Sequence, residues 1–192
     1  MKITSSTALI IALSWSVSAH SHGNEEHSDI NEGRKIVASF AQSLKSTLKP
    51  ALKSQGPVAA INVCTVAAPK LAQEYSANTP WTVARTSLKP RNPSNTPDEW
   101  ETKVLKSFEE SQRQGTAMAK LEHSEVVHVD GKRVLRYMKA IPTAAKPCLA
   151  CHGQNIKPAI QARLTKNYPN DLATGYTAGD IRGAFTLSKI LD

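Results

Sequence analysis

The octapeptide Lys146–Gly153, KPCLACHG, constrains this chain more than any other stretch. It holds two of the three cysteines, Cys148 and Cys151, with His152 directly behind the second. A zinc ribbon would need a second Cys or His pair at suitable spacing, and the sequence has none. A thioredoxin-type redox pair belongs between a strand and a helix, whereas Pro142 and Pro147 bracket an expected loop here. A disulfide between Cys148 and Cys151 would close a very small ring and leave His152 without a part. The order C-x-x-C-H instead meets the demands of covalent c-type haem attachment: two thiols for the two vinyl groups on one porphyrin edge, then an imidazole within reach of the iron. A single motif implies one haem c, and a fold that builds a cavity against this segment.

The compartment agrees with that reading. Lys2 forms a short basic region, an apolar run is centred on residues 8 to 13, and Val17-Ser18-Ala19 has the small-residue pattern of a cleavage site. Residues 1–19 therefore read as a secretory signal peptide cleaved near Ala19, which places the mature chain in the periplasm. The run is too short, and too broken by Ser14 and Ser16, for stable membrane insertion. Residues 20–30, HSHGNEEHSDI, are polar and read as a flexible leader. The net charge of +8 falls to +7 when Lys2 leaves. Lysines scattered without a basic run or interleaved aromatics do not describe a nucleic-acid surface, and the exported address disfavours such a partner.

The remainder, residues 31–192, reads as a single α+β domain. Ile36, Phe40, Leu44, Leu48 and Leu52 recur every four residues and mark an amphipathic helix over 31–53, whose stripe also offers a face to a second copy of the chain. Gly56-Pro57 restarts the chain into a short apolar helix, and Pro69 predicts a break just after Cys64, because its ring would meet the carbonyl of Thr65. Residues 81–87 alternate as a strand. The segment LKPRNPSNTPDEWE is an irregular loop leading to a helix capped at Thr96, with Pro97 in its first turn and Glu99 at the capping-box position. Asp130-Gly131 joins two strands as a hairpin, and a last strand covers 180–188. Helices followed by an antiparallel meander imply helices packed on a sheet.

The ligand opposite His152 is left open by the residues alone. Met118 and Met138 fall in elements where methionine commonly fills a core. His123 and His128 flank a hairpin strand. Cys64 is an unpaired thiol in an oxidising compartment, a liability unless buried or coordinated.

AAINVCTVAAPKLA, ARTSLKPRNPSNTPDEWE and KPCLACHG, in this order and separation, resemble a family of c-type haem domains with a PAS-like fold. The most specific element is the run R-x-S-x-x-x-R-N-P-x-N-x-P-x-x-W-E from Arg85 to Glu101. The resemblance covers about residues 30 to 191. It implies a PAS-like α+β domain whose haem iron is held between His152 and Cys64. Arg85 and Arg91 are candidate partners for the haem propionates, a planar fork being suited to a carboxylate. Two functions follow: redox or gas sensing through a signalling partner, or electron carriage between exported redox partners. With both axial positions filled, peroxidase-like catalysis is disfavoured and the chain is not expected to be an enzyme.

Overall fold

Residues 21–191 are described by a computed structural model; the expected signal peptide lies outside the described residues. Helix α1 runs from Ser21 to Asn62 in two pieces joined at Gly56, which takes φ 76 and ψ 177. An L-residue with a Cβ rarely enters that region, so the Gly-Pro pair restarts the helix as the sequence predicts. Pro50 is carried inside the first piece without ending it. The expected leader is a correction: it is helical from Ser21. Two anchors at its far end explain this, since Asp29 Oδ1 accepts a hydrogen bond from Lys189 Nζ at 2.7 Å and Ile30 packs on the core.

The break expected after Cys64 is not a break either. Val63–Ala67 widens into one π turn, with the Ala68 N–H reaching back to the Val63 carbonyl, and α2 (Ala68–Ala77) continues with Pro69 in its first turn. A wide turn admits a proline ring that an α-helix could not, because the carbonyl four residues back moves out of its way.

The sheet is four-stranded and antiparallel, in the order β1 (Thr82–Thr86), β4 (Ile181–Ile190), β3 (Lys132–Pro142), β2 (Glu122–Val129). Asp130 and Gly131, both at positive φ, make the two-residue hairpin turn. Strand residues alternate between two cores. Leu135, Tyr137, Phe185 and Leu187 face α1 through Ile36, Val37 and Phe40, while Met138, Ala140 and Ala184 face Val104, Leu105 and Phe108 on α3 (Glu99–Arg113). The first part of the apolar stripe of α1, from Ile36 to Leu44, is thus packed within the chain. The cap of α3 falls two residues later than expected. Asp98 accepts from the Glu101 N–H at 2.7 Å and Glu101 returns a bond to the Asp98 N–H at 3.1 Å, while Arg136 pairs with Asp98 at 2.7 Å. An anionic cap with a cationic neighbour outcompetes a threonine.

Gly183 in β4 has φ 152, and a Cβ there would lie 2.3 Å from the Thr86 carbonyl oxygen. Gly183→Ala is expected to cost about 3–5 kcal/mol, adding backbone strain to overpacking. A denaturant midpoint unchanged from the parent would show that β1 can move aside.

Candidate functional site

The C-x-x-C-H segment folds as a single helical turn, α4 (Leu149–His152), where the sequence predicts loop. The His152 N–H donates to the Cys148 carbonyl at 2.9 Å and the Gly153 N–H to that of Leu149 at 3.0 Å. A helical turn places residues three and four apart on one side, so Cys148, Cys151 and His152 share a face. Gly153 ends the turn where a Cβ would stand 2.5 Å from the Leu149 oxygen.

That face opens on a cleft lined by Leu48, Leu52, Ile61, Cys64, Leu164 and Tyr168 together with Arg91, Cys148, Cys151 and His152. The cleft has a volume of about 540 Å³, counting its open mouth. The structure therefore brings Cys64 to the motif from more than eighty residues upstream. The other candidate ligands lie elsewhere: Met138 is fully buried between β3 and α3, Met118 packs on that same cluster, and His123 and His128 are exposed on the edge strand β2. A roomier groove between α3 and β2, lined by Trp100, Phe108, His123 and Glu125, holds none of the three cysteines.

His152 is fixed through Nδ1, which lies 2.8 Å from the Ala173 carbonyl oxygen. A carbonyl only accepts, so Nδ1 carries the proton and Nε2 keeps its lone pair. Arg182 Nε sits 3.2 Å from the same Nδ1, yet its Nη1 is bonded to Ser87 Oγ at 3.0 Å, which locates it as a neighbouring cation. Burial, then the charges of Arg182 and Arg91, hold the imidazole pKa well below its ordinary value. The ring is neutral at pH 7, the form that can donate to a metal. Tyr176 stands edge-on to it, at 6.3 Å between centroids.

Burial pushes the Cys64 thiol pKa up, while Arg85, Arg91 and Arg182 pull it down. Cys151 is also raised by burial. Of the two arginines singled out in the sequence, Arg91 is committed to the protein. Its Nε pairs with Asp171 at 2.9 Å, both side chains being 8% exposed, and its Nη2 donates to the carbonyls of Cys151 and Ala173. Arg85, on β1, makes no hydrogen bond or ion pair among the described residues, and burial lowers its own pKa. Asp171 thus balances one guanidinium of three, leaving Arg85 and Arg182 without a carboxylate.

Sequence reasoning passed over Arg182 and helix α5 (Pro158–Asn167). Signals existed for both: an arginine inside the otherwise apolar stretch IRGAF, and Pro158 at a first turn followed by Ile160, Leu164 and Tyr168 at helical spacing.

None of the curated proteins compared with the chain matches it. Among solved structures, that titled the cyanobacterial heme-protein Tll0287 matches with a TM-score of 0.66 at 21% sequence identity, over 86% of this chain and 96% of that one. At that identity the likeness speaks for the fold: helices on a four-stranded antiparallel sheet. The family model described as Tll0287-like matches residues 21–189, and the chain belongs to the Tll0287-like family.

Proposed function

We propose that this chain is an exported, monohaem c-type protein with a PAS-like fold. In this reading Cys148 and Cys151 would carry haem through thioether links, and His152 and Cys64 would hold its iron. The observation that carries it is the convergence of all four side chains on one cleft. The heme-protein of matching fold supports it.

The residues present fit the group. The cleft walls are mainly apolar, and the cleft is open to solvent on one side. The unbalanced guanidiniums of Arg85 and Arg182 call for anions, and haem brings two propionates. Of the two arginines expected there, Arg91 lines the cleft but already holds the Cys151 carbonyl, whereas the Arg85 guanidinium has no ion pair among the described residues. The Nδ1–H bond to Ala173 orients the imidazole and increases its donor strength. Bound haem supplies a one-electron ferric/ferrous couple, and a thiolate opposite histidine favours the ferric state.

With both positions held by protein, the chain is no peroxidase; it senses redox state or a gas through a signalling partner. Displacement of Cys64 is the switching event, because Cys64 sits in a π turn between α1 and α2, where release of one bond can shift a helix. Electron carriage between exported partners is the second reading, favoured if the iron keeps both ligands in each oxidation state.

The test is to produce the protein in a periplasm competent for cytochrome maturation and record its mass and its ferric and ferrous spectra, with and without carbon monoxide. Mature polypeptide plus one haem is expected, with ligand exchange on reduction or with the gas. A six-coordinate spectrum indifferent to both means carriage, and colourless protein of bare polypeptide mass overturns the haem reading altogether.

A further inference from the structure

Hydrogen bonds tie the Cys64 turn to the His152 segment. That is the work of α5 and the chain that leaves it. Arg163 Nη2 donates to Asn62 Oδ1 at 2.9 Å, and Asn167 Nδ2 and Tyr168 Oη donate to Thr65 Oγ1 at 3.3 and 3.1 Å. The Thr65 hydroxyl passes its own hydrogen to the Ile61 carbonyl at 3.0 Å. Asn62 and Thr65 stand on either side of Cys64. Beneath these bonds Ile160, Leu164 and Tyr168 pack on Ile61, with Cys151 against the same cluster. A few residues on, Asp171 meets Arg91 and the Ala173 carbonyl meets His152. One continuous stretch, residues 163–173, therefore grips the Cys64 turn at one end and the His152 ring at the other.

The turn needs such a grip. A π turn has poorer internal bonding than an α-helix, and moving the extra residue along the chain would swing the Cys64 side chain by about 100° around the axis. We propose that Thr65 is the positioning residue for Cys64: the grip of α5 on its hydroxyl keeps the π turn in place and decides how readily an outside ligand takes the position of Cys64. This rests on the reading of Cys64 as an iron ligand.

The experiment uses the haem-loaded protein and its Thr65→Val, Thr65→Ser, Tyr168→Phe and Cys64→Ala variants. Two quantities are read: the rate of carbon monoxide binding to ferrous protein, and backbone hydrogen exchange over residues 63–68. Thr65→Val keeps the shape but deletes the acceptor for two donors, so binding should accelerate by about tenfold, and by about threefold in Tyr168→Phe, with exchange rising in the same order. Thr65→Ser keeps the hydroxyl and should stay within about twofold of the parent, an outcome that a simple loss of packing would not give. If Cys64→Ala binds the gas faster while Thr65→Val and Tyr168→Phe match the parent, the positioning role is wrong and the ligand assignment stands. Should Cys64→Ala leave the ferric spectrum unchanged, Cys64 is not on the iron and both readings fall.

Discussion

Cys64→Ala in the haem-loaded protein is expected to erase the thiolate character of the ferric spectrum, leaving iron that is high-spin or held by histidine alone. The effect should be large at the iron and small in the fold. Cys64 is half-buried, sits in a turn with no buried residue, and makes no side-chain hydrogen bond, so its truncation should cost the polypeptide about 1 kcal/mol. Removing a thiolate, by contrast, withdraws the electron donor that stabilises ferric iron, and the reduction potential should rise. Absorption and electron paramagnetic resonance spectra of parent and variant make the comparison. An unchanged ferric spectrum would mean that some other residue binds there. Met118, Met138, His123 and His128 all lie off the cleft, whereas the Tyr168 hydroxyl lines it and is the first alternative to examine.

How much of this was legible in the sequence depends on the range of the forces involved. The elements fixed by local chemistry were readable: the restart at Gly56, the Asp130-Gly131 hairpin, the strand β1, and the stripe of α1. Where a long-range partner decided the outcome, sequence reasoning slipped. The leader is helical because Lys189 reaches Asp29 from the far end of the chain. The cap of α3 moved to Asp98 because Arg136 on β3 stands beside it. Pro69 predicted trouble for the helix at the right place, but as a break just after Cys64, and the chain used a widened turn. The motif histidine and the two motif cysteines were readable because their spacing is itself the chemistry. That Cys64 joins their cleft came from the family resemblance, and spacing alone held no trace of it. The Ala173 carbonyl was invisible for a plainer reason, since a backbone acceptor has no letter in the sequence; Arg182 stood out as a charge in an apolar strand, but its neighbours did not.

Arg91 carries the second large expectation. Its side chain and that of Asp171 are each 8% exposed and 2.9 Å apart, and its other donors hold the Cys151 and Ala173 carbonyls. Arg91→Met should therefore cost about 3–5 kcal/mol, because it leaves a buried carboxylate uncompensated and takes a donor away from the Cys151 and Ala173 carbonyls. In a domain of this size that corresponds to a fall in Tm of about 10 °C. Haem loading should fall with it, since the freed Ala173 carbonyl is the one that orients His152. The cause can be isolated by neutralising the partner. Asp171→Asn keeps an oxygen for the Ala173 N–H, which Asp171 Oδ1 accepts at 2.8 Å, while removing the charge. If the unpaired charge dominates, Arg91→Met with Asp171→Asn will be more stable than Arg91→Met alone, a reversal that additive losses cannot produce. If the double variant is instead the less stable, the arginine acts mainly through the two carbonyls. Its place in the R-N-P run would then reflect support of the C-x-x-C-H turn more than the balance of charge.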